Sequence, residues 1–271
     1  MNFKTTSSTR TDSAARARLL VRRLLLLAAL ALTLAPPCLA QSADDYHKVE
    51  VYGGYSLGRF KSPAASLSFT DPTGATTTFN DPCGAAATAA FGANSQKFFC
   101  ERRNFNGFDA SVTYNFTRYL GVKGNVTGHF RTERFRDAFP PATQVTNTRE
   151  RLYNFLAGMQ VKQNSRAASF KPFAHALAGV ARYSERGQQS IDLFPEFNFV
   201  ADDRVTAFAL KIGGGIDIRA GRRIDIRAVE FDYNPFFAGD HHFTTVSGPF
   251  TFAARGKTAQ NYSIGFGLVI H

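Results

Sequence analysis

Large apolar side chains occupy every second position over long stretches of the chain, and small or polar side chains fill the positions between them. The pattern is clearest over residues 108–116 and over 262–270. Successive side chains of a β-strand point to opposite faces. Each such stretch therefore predicts a strand with one apolar face and one polar face.

Eight segments of the chain are predicted to be strands on this basis. They are 49–57, 108–116, 120–130, 153–162, 173–182, 205–218, 224–233 and 258–270. About ten residues is the length that a tilted strand needs to cross a bilayer. The fifth segment is apolar at nearly every position, so its two faces stay unassigned. In the seventh segment the apolar positions change phase near Ala228, which predicts a β-bulge.

The connections between these segments alternate in length. Short turns around 117–119, 164–166 and 220–222 alternate with long loops around 60–104, 131–150, 183–203 and 234–257. Outer-membrane barrels have short periplasmic turns, longer external loops and an apolar face directed outward. A soluble lipocalin-like carrier would need the apolar face inside. The sequence therefore predicts an all-β fold, an eight-stranded antiparallel up-and-down transmembrane β-barrel.

The N-terminal segment has the organisation of a secretory signal peptide. Several arginines between positions 16 and 23 precede an apolar run over 24–34, which is followed by Ala40. That run is 11 residues long, whereas a spanning helix needs about 20. We expect cleavage after Ala40, so that 1–40 is the signal peptide and 41–271 is a single barrel domain.

The net charge of +11 is partly a property of that signal segment, which carries six basic residues and one acidic residue. Its removal leaves 26 basic and 20 acidic residues. Because much of the basicity serves targeting, the composition does not predict a nucleic-acid partner.

The final strand carries a more specific pattern: Ser263, Gly265, Leu268 and Ile270 follow in the order polar, glycine and two spaced apolar residues. In this respect the chain resembles the OmpA/OmpX-like family of small outer-membrane β-barrels, although His271 stands where that family usually ends in an aromatic residue. The resemblance covers 49–271. It implies a monomer in the bacterial outer membrane, in contact with membrane lipid and lipopolysaccharide, and inserted by the barrel-assembly machinery through the C-terminal strand.

The polar strand faces carry charges of both signs. The residues concerned are Glu50, Asp109, Lys123, Lys162, Lys211, Asp217, Glu230 and Asp232. The interior of an eight-stranded barrel is just wide enough for side chains to fill, so we expect a packed network of lumen charges. A small-solute or ion pore is the alternative, because it would need the same charges.

The first long loop holds Cys83 and Cys100. Disulfides persist at the cell surface, and a metal site would need further ligands close by. We therefore predict a disulfide between these two cysteines.

The second long loop is rich in arginine. It carries Arg131, Arg134, Arg136, Arg149 and Arg151. Guanidinium groups bind phosphate in bidentate geometry, so this segment is predicted to be an anion-binding loop that contacts lipopolysaccharide. Adhesion to an external partner is the alternative, since the other loops are rich in phenylalanine.

Catalysis and metal binding find little support in the sequence. Some barrels that remove acyl chains from lipid A use a His and a Ser two positions apart, and the nearest match here, His242-Phe243-Thr244, has Thr in place of Ser. His241 and His242 are adjacent, and neighbouring side chains of an extended segment point apart. We expect no enzyme activity, no cofactor and no metal, and a structural or surface-interaction role.

Overall fold

The computed structural model describes residues 46–271 except 63, 72, 140–141, 194–197 and 246–250. The predicted signal peptide, 1–40, lies outside the described residues. The strands are β1 Val49–Phe60, β2 Ala64–Thr70, β3 Thr76–Phe79, β4 Arg103–Asn115, β5 Leu120–Phe139, β6 Ala142–Lys162, β7 Phe170–Ile191, β8 Phe199–Arg219, β9 Ile224–Phe237, β10 His241–Thr244, β11 Thr251–Gly256 and β12 Thr258–Ile270. The helices are α1 Ala85–Phe91 and α2 Ala93–Cys100.

Eight strands form a closed barrel in the order β1-β12-β9-β8-β7-β6-β5-β4, and every neighbouring pair is antiparallel. The first and last strands close it, with Val51 opposite Ile270 and Arg59 opposite Tyr262. Each predicted segment corresponds to one barrel strand. The predicted fold, an up-and-down eight-stranded β-barrel, is confirmed.

The apolar faces of the strands point away from the barrel axis. Val112, Phe231 and Phe266 are each more than half exposed, at 54%, 54% and 58%. Side chains on the opposite face are buried, and Lys123 and His129 are 0% exposed. An apolar outer belt around a polar interior is the arrangement of a barrel that lies in lipid.

Apart from the inward-facing His175, both faces of β7 are apolar at the level of the membrane, which explains why its sequence does not alternate. Phe173 and Leu177 point inward and are buried, while Ala174 and Ala178 point outward. The large side chains fill the interior, and the small ones contribute a smooth apolar surface to the belt.

The predicted bulge lies at Ala228. Val229 is opposite Ile216 of β8, and Arg227 is opposite the next residue of β8, so Ala228 has no partner in that ladder. The extra residue shifts the phase of β9. As a result Arg227 and Glu230, three positions apart, both point into the barrel.

The prediction of long loops at 131–150 and 183–203 is wrong, because both segments are largely continuations of barrel strands. β5 and β6 remain paired as far as Phe139 and Ala142, and β7 and β8 as far as Gln189 and Phe199. Beyond the membrane neither face of a strand meets lipid, so both faces can be polar. The apolar alternation therefore ends while the hydrogen-bonded ladder continues.

The first and last long connections contain additional structure. Segments from both form a second sheet in the order β10-β11-β2-β3, and the first also forms α1 and α2. Among the described residues, no helix is both long enough and apolar enough to cross a membrane.

Candidate functional site

A network of buried ion pairs occupies the interior near the short turns. Lys162 Nζ lies 2.9 Å from Glu50 and 2.8 Å from Asp217. Arg227 contacts the same Asp217 through Nε at 2.8 Å and Glu230 through Nη1 at 2.7 Å. Charges contributed by four strands are thus neutralised within one continuous chain of contacts.

The network continues toward the middle of the barrel. Lys211 Nζ lies 2.5 Å from Asp109 and 2.9 Å from Asp232, and Lys123 Nζ lies 3.4 Å from Glu230. The structure therefore brings all eight predicted lumen charges together, and none of them is more than 4% exposed.

The central cation of the network, Arg227, was missed in the sequence. Its guanidinium carbon lies 4.0 Å from the ring centroid of Tyr52 and 4.1 Å from that of Phe173, so that two aromatic rings contact it. Arg227 precedes the bulge, so it occupies an odd-numbered inward position, whereas Glu230, after the bulge, occupies an even-numbered one. Assigning inward positions separately on each side of Ala228 would have identified it.

A second group missed in the sequence lies at the periplasmic rim. Lys171 Nζ and His271 Nε2 each lie 2.8 Å from Asp225, and the ring of His271 stacks on that of His47 at a centroid distance of 3.8 Å. The final histidine, which departs from the usual aromatic, thus has polar contacts inside the barrel.

One group of potential metal ligands is found in the described part of the chain, namely His175, Glu230 and Asp232, whose ligand atoms lie within 4.8 Å of one another. Lys123 and Lys211 contact these same carboxylates. Because ammonium groups already neutralise the two acids, the group is part of the ion-pair network.

Toward the long-loop end the interior changes from charged to apolar. The buried residues of this apolar layer are Phe60, Phe105, Leu152, Leu156, Leu177, Ala181, Tyr183, Val205, Ala209, Phe236 and Ala259. The rings of Phe60 and Phe105 pack with centroids 5.0 Å apart. The layer separates the charge network from the extracellular end of the barrel.

Above the apolar layer lies a group of acidic residues. Glu150, which is 0% exposed, is paired with Arg103. The Tyr183 hydroxyl lies 2.6 Å from Glu150 and 2.7 Å from Glu185. On the neighbouring strand Asp203 Oδ2 lies 3.1 Å from Nε2 of His241, which connects the second sheet to the barrel wall.

The five predicted anion-binding arginines lie on β5 and β6, and not in a loop. Arg134, Arg136, Arg149 and Arg151 point outward and are exposed. Arg131 is on the other face, where its guanidinium pairs with Glu133. The strand ladder explains this division, because residues an odd number of positions apart point to opposite faces.

Two exposed arginines of β7, Arg182 and Arg186, extend the outward group. Arg149 of β6 is directly opposite Arg186. We define the outer arginine patch as the six outward residues Arg134, Arg136, Arg149, Arg151, Arg182 and Arg186.

Three solved structures show what the chain is similar to. Ail, the attachment invasion locus protein of Yersinia pestis, in complex with the heparin analogue sucrose octasulfate, is 12% identical, with 83% of this chain and 100% of that chain covered and a TM-score of 0.39. Neisserial surface protein A is 10% identical, with 84% and 99% covered and a TM-score of 0.37. The outer membrane protease OmpT of Escherichia coli is 10% identical, with 86% and 99% covered and a TM-score of 0.46.

No family model and no curated protein matches the chain. The assignment of the fold therefore rests on the barrel itself, which is closed, has eight strands and carries its apolar side chains outside. The protein is an eight-stranded outer-membrane β-barrel. Its location is the bacterial outer membrane.

The outer-membrane barrel carries the predicted disulfide in its first long connection. Cys83 and Cys100 are bonded; their Cα atoms are 5.7 Å apart, and the two residues are 17 positions apart in sequence. The bond joins Cys83, two positions before α1, to Cys100, the last residue of α2. The backbone N–H of Asn94 donates to Asp137 at 2.7 Å and attaches α2 to β5.

The extracellular end of the outer-membrane barrel should lose stability as the pH rises from about 5 to 8. Burial raises the pKa of Glu185 to about 7, and the nearby Glu150 adds to this effect. The hydrogen bond to Asp203 raises the pKa of His241. Both groups bind a proton more tightly in the folded state, so each contributes less stability once the pH passes its folded-state pKa.

Amide hydrogen exchange in β10 and at the end of β7, corrected for the intrinsic effect of pH, measures this loss. The variants Glu185→Gln and His241→Gln should each flatten the dependence on pH. Local stability that is constant or increases over this range would contradict the prediction.

Proposed function

We propose that this outer-membrane barrel has a non-catalytic surface role, in which the outer arginine patch binds phosphate groups of lipopolysaccharide. The observation that carries the proposal is the absence of neutralising charge. Beyond the membrane belt, the described outward positions of β5, β6 and β7, within 132–138, 143–151 and 182–190, include no acidic residue. Six guanidinium groups therefore face the exterior with no carboxylate among the outward positions of these three segments. On the neighbouring strand β8, Asp202 lies directly opposite Arg186 but is paired with Arg204.

The position of the outer arginine patch fits that ligand. Arg151 is directly opposite Phe130, and Arg182 is directly opposite Tyr153. The rings of Phe130 and Tyr153 are in contact at the upper edge of the apolar belt, with centroids 5.5 Å apart. The patch thus begins where acyl chains give way to phosphorylated headgroups, and arginine binds phosphate in bidentate geometry.

The proposal includes the export and assembly of the chain. The segment 1–40 would act as a signal peptide that is removed at Ala40, and β12 would be the strand that the barrel-assembly machinery recognises. We propose a monomer, because the strands close on themselves through β1 and β12 and leave no barrel edge for a second copy.

The alternative of a small-solute or ion pore has less support. The eight lumen charges are paired and buried, and the apolar layer lies across the interior above them. A pore would need an open, hydrated path in place of both.

Replacement of Arg134, Arg136, Arg149 and Arg151 by Gln should weaken lipopolysaccharide binding about fourfold or more, since each exposed charge pair contributes about 0.2–1 kcal/mol. Binding by the unmodified protein should also weaken with salt, because exposed charges are screened over about 8 Å at physiological ionic strength. Titration of lipopolysaccharide against the protein in lipid nanodiscs measures both effects.

The matched control is Arg131→Gln, which removes the same group from the inward face of the same strand. It should retain the affinity and salt response of the unmodified protein. The thermal stability of the fourfold variant should also be unchanged. Unaltered binding by the fourfold variant would exclude these arginines as the lipopolysaccharide site.

A further inference from the structure

The extracellular end of the barrel contains a cavity of about 150 Å³. It lies between the extended parts of β6, β7 and β8 on one side and the second sheet with the disulfide-bonded connection on the other. The apolar layer closes the barrel interior below it. The cavity is therefore separate from the lumen charge network and on the opposite face of the wall from the outer arginine patch.

Much of the cavity wall is apolar. Leu67 and Phe252 of the second sheet and Phe135 of β5 line it, together with small alanine side chains. A cavity of about this volume holds a molecule of the size of benzene. The size and character of the wall thus fit a short alkyl chain.

The charges that line the cavity have one dominant sign. Besides Tyr183, its ionisable lining residues are Glu185, Asp203 and His241, and no lysine or arginine is among the lining residues. His241 contacts Oδ2 of Asp203. No lining residue of the cavity forms an ion pair with Glu185, and burial raises the pKa of this acid despite the opposing charge of Arg103, which lies outside the lining.

Two oxygen atoms of the cavity lining are buried without a hydrogen-bond partner in the described part of the chain. They are Oδ1 of Asp203 and Oγ1 of Thr148. Thr148 is 3% exposed, so its hydroxyl has little access to bulk water. A buried polar atom without a partner is costly, and a ligand that donates hydrogen bonds would remove that cost.

We propose that this cavity is a binding site for a small primary amine, held as an alkylammonium ion with a stem of about four carbons. The ammonium group has three N–H donors, which match the acceptors on Thr148, Glu185 and Asp203. Its positive charge balances the acidic lining, and the stem packs against Leu67 and Phe252. This inference does not depend on the proposed binding of lipopolysaccharide.

The probe is n-butylammonium, titrated against the full-length outer-membrane protein in nanodiscs and followed by NMR shifts of the methyl groups of Leu67 and Ala254. We expect saturable binding that 1-butanol, butyrate and tetramethylammonium do not reproduce. 1-Butanol is uncharged, butyrate has a negative charge, and tetramethylammonium is a cation without N–H donors. Equal binding of 1-butanol would overturn the proposal, because the cavity would then select only for an apolar stem.

The variants Asp203→Asn and Thr148→Val should each weaken the binding of n-butylammonium at least tenfold. Asp202→Asn is the matched control, because Asp202 is adjacent but pairs with Arg204 on the outer surface and should leave the affinity unchanged. An equal loss in Asp202→Asn and Asp203→Asn would overturn the proposal, as would the absence of binding to the unmodified protein. Thr148→Val keeps the shape of the side chain and the charge of the site, so it tests the proposal even if Asp203→Asn disturbs the fold.

Discussion

Arg227→Met should lower the free energy of unfolding by about 3–5 kcal/mol, the loss typical of removing one partner from a buried ion pair. Asp217 would keep Lys162 at 2.8 Å, but Glu230 would keep only more distant partners, Lys123 at 3.4 Å, His175 at 3.8 Å and Lys211 at 3.9 Å. The contacts of the guanidinium with two aromatic rings would also be lost. Equilibrium unfolding in urea, with the barrel in lipid vesicles, measures the change.

The double variant Arg227→Met with Glu230→Gln provides the control. It removes a cation and an anion together, so it should recover part of the loss. Together with the single variant Glu230→Gln it gives a coupling energy between the two residues. The stability of Arg227→Lys should lie between that of the unmodified protein and that of Arg227→Met. The lysine keeps the charge but does not reproduce both contacts, to Asp217 and to Glu230. A loss below about 1 kcal/mol in Arg227→Met would mean that the network contributes little to stability.

Val112→Arg should cost about 2–4 kcal/mol, the range for a basic residue on the lipid face near the bilayer midplane. Val112 is 54% exposed and lies on the outward face of β4, between Phe108 and Tyr114. Its replacement would place a guanidinium among acyl chains. Folding yield and unfolding free energy in lipid vesicles measure the effect.

Gln188→Arg is the matched control for depth, because Gln188 points outward from β7 beyond the apolar belt. This variant should fold like the unmodified protein. Equal stability of Val112→Arg and Gln188→Arg would show that the two positions lie in the same medium, which would contradict the assigned membrane belt.

The barrel strands could be predicted because lipid on one side and a packed interior on the other make apolar and polar residues alternate with a period of two. Where a strand no longer has lipid on one face, this alternation is lost and the strand cannot be predicted from it. The strand extensions 131–139 and 183–191 have polar residues on both faces, and the short strands β3 and β10, each of four residues, contain too few positions to show a period. Their pairing depends on contacts between segments that are distant in sequence.

The candidate sites show the same limit. Lumen charges such as Asp109 and Lys211 were identified because their strands keep a single phase. Arg227 was missed because an extra residue reverses the phase, and Arg131 was grouped with outward arginines because a loop was assumed where the strand continues. The extracellular cavity could not be predicted, since its wall combines residues from β6, β7, β8 and the second sheet.

The bulge at Ala228 also affects how charge is distributed during assembly. In a regular strand, residues three positions apart point to opposite faces, so an acid and a base at that spacing cannot pair. The bulge places Arg227 and Glu230 on one face of the same strand, 2.7 Å apart. β9 thus carries a counterion for one of its own acids, and this pair can form before any strand from the N-terminal half of the chain is in place.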